Sequence, residues 1–231
     1  MNAANSLQPN VSSIPFVGCE SDGQAGPLDA PHGEDKQMVI PADGASRLAY
    51  YKAEAGAGVL APRGWHCYGT YGSSGSSLFV SPTPISVREL FTTSWRGFDG
   101  PAIQISILHG GTSGRFGVAR TIRRVFQTHG SFARQVIDEG LASSTDFPLG
   151  PYPNDKLNYK GTEMVEFQTP ANTEGLGTDS WLHKNSDPIS GVAILYGNGP
   201  DLLQVSVRLP SRLNDLIPLI LEEAERSVVL R

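Results

Sequence analysis

The chain has 231 residues, 39% hydrophobic and 18% charged, which is enough apolar side chain for one large core or two small ones and excludes disorder for most of it. Twenty-six Gly and 17 Pro against 3 Met favour turns and structured loops around a sheet over a helical bundle. A net charge of -5 with a pI near 5.5 opposes a nucleic-acid partner, whose binding rests on basic surface, and no apolar run reaches the length of a membrane span.

Residues 1–35 are polar and turn-rich and read as an extended Gly/Pro-rich arm lying on a single α+β domain, 36–231. The opening "MNAANSLQPNVSSIPFVGC" lacks the basic start and apolar stretch of a signal peptide, as would the mature end of an exported protein. A periplasmic or secreted location is the expectation, with the cytoplasm left open. Cys19 and Cys67 allow one bridge, which would tie the arm to the body in an oxidising compartment; in a reducing one they are two buried thiols.

From Lys36, "KQMVIP", "RLAYYKAE", "GWHCYGTYG" and "SSLFVSP" predict short strands in an antiparallel meander, with "GSSGS" as a hairpin tip. Alternation along "GWHCYGTYG" puts Cys67 on the inward face with Trp65 and turns His66 and Tyr68 the other way, so neighbouring His66 and Cys67 form no catalytic dyad. A short helix is expected within "ISVRELFTTSW".

The stretch "PAIQISILHGGTSGRFGVARTIRRVF" then runs from a strand through a glycine-rich loop into a helix. Val118, Ala119, Ile122, Val125 and Phe126 keep helical spacing and should face the core, leaving Arg120, Arg123 and Arg124 towards solvent. A second helix follows in "SFARQVIDEG". The loop fits neither the phosphate-binding P-loop, which needs Gly-Lys-Ser/Thr, nor the G-x-G-x-x-G dinucleotide fingerprint. Its free N–H groups beside a helix start would suit an anionic or carbonyl oxygen; equally, its glycines could serve the turn alone.

Two long irregular segments, "SSTDFPLGPYPNDKLNYKG" and "PANTEGLGTDSWLHKNSDP", are candidate lids or binding loops carrying Tyr152 and Trp181. Strands follow in "GTEMVEFQTP", "PISGVAILYGNGP" and "DLLQVSVRLP", the last two forming a hairpin. Leu213, Leu216, Ile217, Ile220, Leu221, Ala224 and Val228 form the apolar stripe of a terminal helix that must pack on a sheet, with Asp215 as its N-cap and Pro218 in its first turn. The expected fold is α+β: an antiparallel sheet packed by a few helices as a layered sandwich, with a long C-terminal helix on the sheet. The closing hairpin followed by one long helix resembles the photosystem extrinsic-protein type of sandwich, a likeness of element order that carries no function.

Two functions fit these residues. The first is a small-molecule hydrolase acting on an ester, lactone or amide. His109 or His183 would be the general base and Ser113 the nucleophile or a water-positioning group, with the N–H groups of Gly111 to Arg115 stabilising an oxyanion and Gly111, Thr112, Gly114, Arg115, Tyr152 and Trp181 around the substrate. The second is a non-catalytic exported or envelope protein that binds a ligand or partner with the same loops. No cofactor is expected. The histidines lack zinc spacing, and oxygen ligands for calcium stay open in the loops holding Asp22, Asp155, Asn172, Glu174 and Asp179.

Overall fold

The computed structural model describes residues 11–85, 87–92 and 95–229. Of the segment 1–35 expected as an arm, residues 1–10 lie outside the described residues, 24–35 hold no regular strand or helix, and 11–23 form three short strands, β1 (Val11–Ile14), β2 (Phe16–Cys19) and β3 (Ser21–Gly23). Each is too short for alternation to register in the sequence, yet Ile14 and Cys19 are buried in the core. The chain continues through β4 (Lys36–Val39), α1 (Ala42–Arg47), β5 (Leu48–Ala53), β6 (Val59–Pro62), β7 (His66–Gly72), β8 (Gly75–Ser81) and the single turn α2 (Val87–Leu90). Then come β9 (Ala102–Leu108), α3 (Arg115–Val125), α4 (Gly130–Asp138), β10 (Lys156–Tyr159), β11 (Met164–Thr169), β12 (Ile189–Tyr196), β13 (Asp201–Arg208) and α5 (Ile217–Val229).

Eight strands form the main sheet in the order β10-β11-β12-β13-β9-β8-β7-β3, antiparallel except for the parallel β3–β7 pair. A three-stranded sheet, β2-β5-β6, makes a second layer, and β1 pairs with β4. The expected meander is therefore confined to the β7–β8 hairpin, and the other early strands are shared among separate sheets. The protein is an α+β sandwich with its C-terminal helix on the sheet.

One face of the main sheet is apolar from strand to strand. Leu78, Val80, Ile103, Ile105, Ile107, Val192, Ile194, Leu203, Val205 and Val207 pack there against the small sheet and against Leu216, Ile220, Leu221 and Ala224 of the terminal helix region. Pro218 is the second residue of α5, where its missing N–H removes no helical bond. Asp215 lies in the preceding 3₁₀ turn, Ser211–Leu216, and pairs with Arg47 of α1. A disulfide between Cys19 of β2 and Cys67 of β7 fastens the covering sheet to the main one. Its formation resolves the pairing that the sequence left open.

On the opposite face α3 and α4 cover only part of the sheet. Val118, Ala119, Ile122, Val125 and Phe126 meet Phe167, Ala193, Leu195 and Leu202, as the helical spacing predicts. The three arginines differ from expectation. Arg120, Arg123 and Arg124 donate to the carbonyl oxygens of Asp146, Phe147 and Gly150 at 3.2, 3.3 and 3.2 Å, pinning the proline-rich segment along the helix. Periodicity marks them as the non-core side of α3 but carries no sign of the chain that folds back over them.

Candidate functional site

Where α3 and α4 leave the sheet uncovered, the three adjacent strands β8, β9 and β13 present polar side chains. Register sets these in two rows: Ser77, Ser106 and Gln204 directly opposite one another, then Phe79, Gln104 and Ser206. Neighbouring strands are ~4.8 Å apart and same-face residues ~6.8 Å apart along a strand, so the five polar groups form a small grid. It is the floor of a cleft of about 390 Å³, walled by Leu108, Gly117 and Arg120 on one side and by Asp179, Ser180 and Trp181 on the other.

The floor also builds its own wall. The Gln104 amide oxygen accepts from the Trp181 backbone N–H at 2.7 Å, and the Gln204 amide nitrogen donates to the Leu176 carbonyl at 3.1 Å. Each amide thereby fixes the 176–181 segment with one end and keeps the other end uncommitted among the described residues. Ser206 is 1% exposed, and among the described residues its hydroxyl has no hydrogen-bond partner. A buried hydroxyl left unpaired costs ~1–3 kcal/mol, so its place in the cleft lining matters.

At one end of the cleft stands an aromatic cluster. Trp95 lies 4.5 Å from Trp181, 5.6 Å from Phe79 and 5.7 Å from Phe98, centroid to centroid, and Trp181 remains 46% exposed. Arg208, fully buried, holds that end together through backbone carbonyls, with no carboxylate partner among the described residues. It donates to the carbonyl oxygens of Phe98, Gly100 and His183, joining the segment before β9 to the segment after Trp181. Burial pulls its pKa down from the ordinary arginine value, with Asp187 and Asp99 opposing that shift.

At the mouth, the Tyr152 hydroxyl donates to Asp179 at 2.7 Å, and the Arg124 guanidinium lies 3.9 Å from the centroid of the Tyr152 ring. The two long segments therefore meet here. Desolvation and the Asp179 carboxylate push the Tyr152 phenol up to about 12, and desolvation raises the Asp179 carboxyl against the pull of Tyr152, Arg124 and Arg120.

The glycine-rich loop lies beyond the cleft. His109 Nδ1 is 3.1 Å from Asp201 Oδ2, while the Gly110 N–H donates to the other carboxylate oxygen at 2.9 Å. The N–H groups of Thr112, Gly114, Arg115 and Gly117 are all engaged within the loop and first helical turn. Gly111 and Ser113 are exposed, and Arg115 reaches Glu139, just past the end of α4, at 2.9 Å. None of the loop's four glycines has a positive φ; a side chain at Gly110 or Gly114 would instead collide with the carbonyl of Pro200 or Ser74. Close packing of the chain on itself accounts for those two positions.

Of the residues expected to act together, Trp181 lines the cleft and Tyr152 bonds to Asp179 beside it. His109, Gly111, Thr112, Ser113, Gly114 and Arg115 are grouped at the loop outside it. His183 is paired with Asp99 at 3.0 Å, at the opposite end of β9 from His109, roughly 23 Å away for a seven-residue strand. The two histidines thus belong to different places. Compared with known proteins, the chain matches no family model, no curated protein and no solved structure.

Sequence reading missed the cleft floor and Asp201. The floor had a signal: "QIS" at 104–106 and "QVS" at 204–206 repeat Gln-x-Ser in two strands that both turn out to be central. Polar alternation ordinarily marks a solvated face; in two interior strands it marks a polar surface under cover. Among the loop carboxylates considered for calcium, Asp155 accepts from Thr169 and the Leu176 N–H, Glu174 pairs with Lys184, and Asp179 accepts from Tyr152. Among the described residues no group of three or more His, Cys, Asp or Glu could hold a metal ion, and no helix is long and apolar enough to cross a membrane.

Proposed function

We propose that this protein is a non-catalytic binder of a small polar organic molecule, held in the cleft over β8, β9 and β13 and working in an oxidising compartment outside the cytoplasm. The Ser206 hydroxyl carries the reading: it is buried, unpartnered and part of the cleft lining, an arrangement that costs stability unless a bound oxygen or nitrogen meets it. The volume suits a small ligand, and the Cys19–Cys67 disulfide supports the compartment. A nucleic-acid partner is disfavoured by the net charge of -5 and by α3 arginines already holding loop carbonyls.

The test is a thermal-shift screen of small polar metabolites on the full chain and on Ser106→Phe, which fills the cleft from its floor. A compound that stabilises the parent protein but not a folded Ser106→Phe variant supports the reading. Equal shifts in both would overturn it.

The His109–Asp201 pair favours a second reading, a hydrolase. Asp201 on Nδ1 would orient His109 so that Nε2 could take the Ser113 proton as its oxygen attacks an ester carbonyl carbon; collapse of the oxyanion, with the Gly111 and Ser113 N–H groups as its donors, would expel the alcohol with the proton returned from His109, and water would then release the acyl group as the acid. Turnover of chromogenic esters or lactones that disappears in Ser113→Ala and falls in Asp201→Asn would support it. Activity surviving Ser113→Ala and His109→Ala would remove it.

A further inference from the structure

We infer that the ligand of the cleft is a neutral sugar, its ring against Trp181 and its hydroxyls on the Ser/Gln floor; this rests on the cleft reading above. Three features select the class. The floor holds no charged side chain: Ser77, Ser106 and Ser206 offer hydroxyls that both donate and accept, while Gln104 has an amide NH₂ and Gln204 an amide oxygen left over from their bonds to the wall. Such a two-dimensional grid matches a ring with polar groups around its perimeter. A single polar edge, as on a nucleobase, would leave half of it unpaired.

The wall supplies the other half of a sugar's chemistry. Trp181 is half exposed and backed by Trp95 at 4.5 Å, while its backbone N–H is tied to Gln104 and its carbonyl accepts from Phe98 N–H at 2.7 Å. The indole thus stands on a segment fixed from both sides. The negative face of an aromatic ring attracts C–H groups polarised by neighbouring oxygens, and the C–H face of a pyranose provides them.

Charges of both signs meet at the mouth, where Arg124, Arg120 and Asp155 all act on Asp179. Arg120 and Asp179 both line the cleft and attract one another's charged forms, so the entrance favours neither an anion nor a cation. Asp179 already accepts from Tyr152 through Oδ1, which leaves Oδ2 to accept from a ligand hydroxyl.

The experiment follows tryptophan fluorescence and saturation-transfer NMR of the full chain with D-glucose, D-galactose, D-mannose, cellobiose and maltose, and in parallel with D-glucuronate and adenosine. At least one neutral sugar should saturate both signals with a Kd of ~1 mM or tighter. Trp181→Ala should weaken that binding about tenfold or more per folded molecule, and Trp181→Tyr should restore most of it. Absence of binding by every neutral sugar, or affinity indifferent to Trp181→Ala, would overturn the inference. Binding of glucuronate or adenosine alone, lost in Ser106→Phe, would overturn the sugar while leaving the cleft standing; binding of all probes unchanged in Ser106→Phe would overturn both.

Discussion

Three strands, β8, β9 and β13, carry two different chemistries on their two faces. On one face Leu78, Val80, Ile103, Ile105, Ile107, Leu203, Val205 and Val207 meet the covering sheet and α5. On the other, the same strands turn Ser77, Gln104, Ser106, Gln204, Ser206 and Arg208 to the helix side. A single step along the strand is all that separates them. The apolar face holds the two layers together, whereas the polar face holds the cleft wall through Gln104, Gln204 and Arg208 and leaves the Ser206 hydroxyl unpaired among the described residues.

The largest effect should come from releasing the cover of the apolar face without touching its side chains. The Cys19–Cys67 bridge closes a loop with a sequence separation of 48 residues. Replacing both cysteines with alanine should lower stability by about 4 kcal/mol through the regained freedom of the unfolded chain. Urea denaturation measures it. A loss below ~1 kcal/mol would mean that the two sheets are held by packing alone.

Next comes a direct contrast between neighbours on β9. Ile105→Ala should cost about 3 kcal/mol, because it opens a cavity beneath α5 and the small sheet. Ser106→Ala, one residue on and on the other face, should stay within ~0.5 kcal/mol while weakening ligand binding. Comparable losses of stability would show the polar row to be structural, and the contrast between faces would fail.

The glycine-rich loop sharpens the contrast from outside the cleft. Gly114→Ala brings a Cβ against the Ser74 carbonyl and the backbone of His109, none of which can rotate away. The expected cost is ~2 kcal/mol, with binding per folded molecule unchanged. Loss of binding beyond the loss of folded protein would return the loop to the site.

How much was legible follows the same division. The apolar face and the helices were readable because burial writes a period into sequence: the stripe from Leu213 to Val228 and the set from Val118 to Phe126 both pack as spaced. The alternation of β9 was readable too, but not which of its faces was covered. That depends on β13 lying beside it, 100 residues on in register. For the same reason Asp201 escaped notice as the partner of His109, since only the pairing of Leu202 with Leu108 brings the two strand ends together. The arm strands were too short for a pattern, and the arginine contacts of α3 needed the path of the proline-rich segment.

The smallest effect tests the mouth of the cleft by pH. Desolvation holds the Asp179 carboxyl above the ordinary carboxylate value, against the opposing pull of Tyr152, Arg124 and Arg120. A carboxyl with a raised folded pKa binds its proton more tightly in the folded chain. It therefore contributes stability that is fully present below the unfolded value, near 3.8, and is lost as pH rises through the folded value. At neutral pH the ionised group works against folding. Asp179→Asn keeps an oxygen for the Tyr152 hydroxyl and removes the charge, so it should stabilise the protein at pH 7 by under ~1 kcal/mol, since solvent at the mouth screens the charge. The gain should vanish near pH 3, where Asp179 is protonated in both states. Paired urea titrations at the two pH values give the answer. A gain equal at both pH values would assign the effect to packing, and a loss at pH 7 would show that the charge is held by contacts worth more than its desolvation, making Asp179 the fixed anionic lip of the cleft.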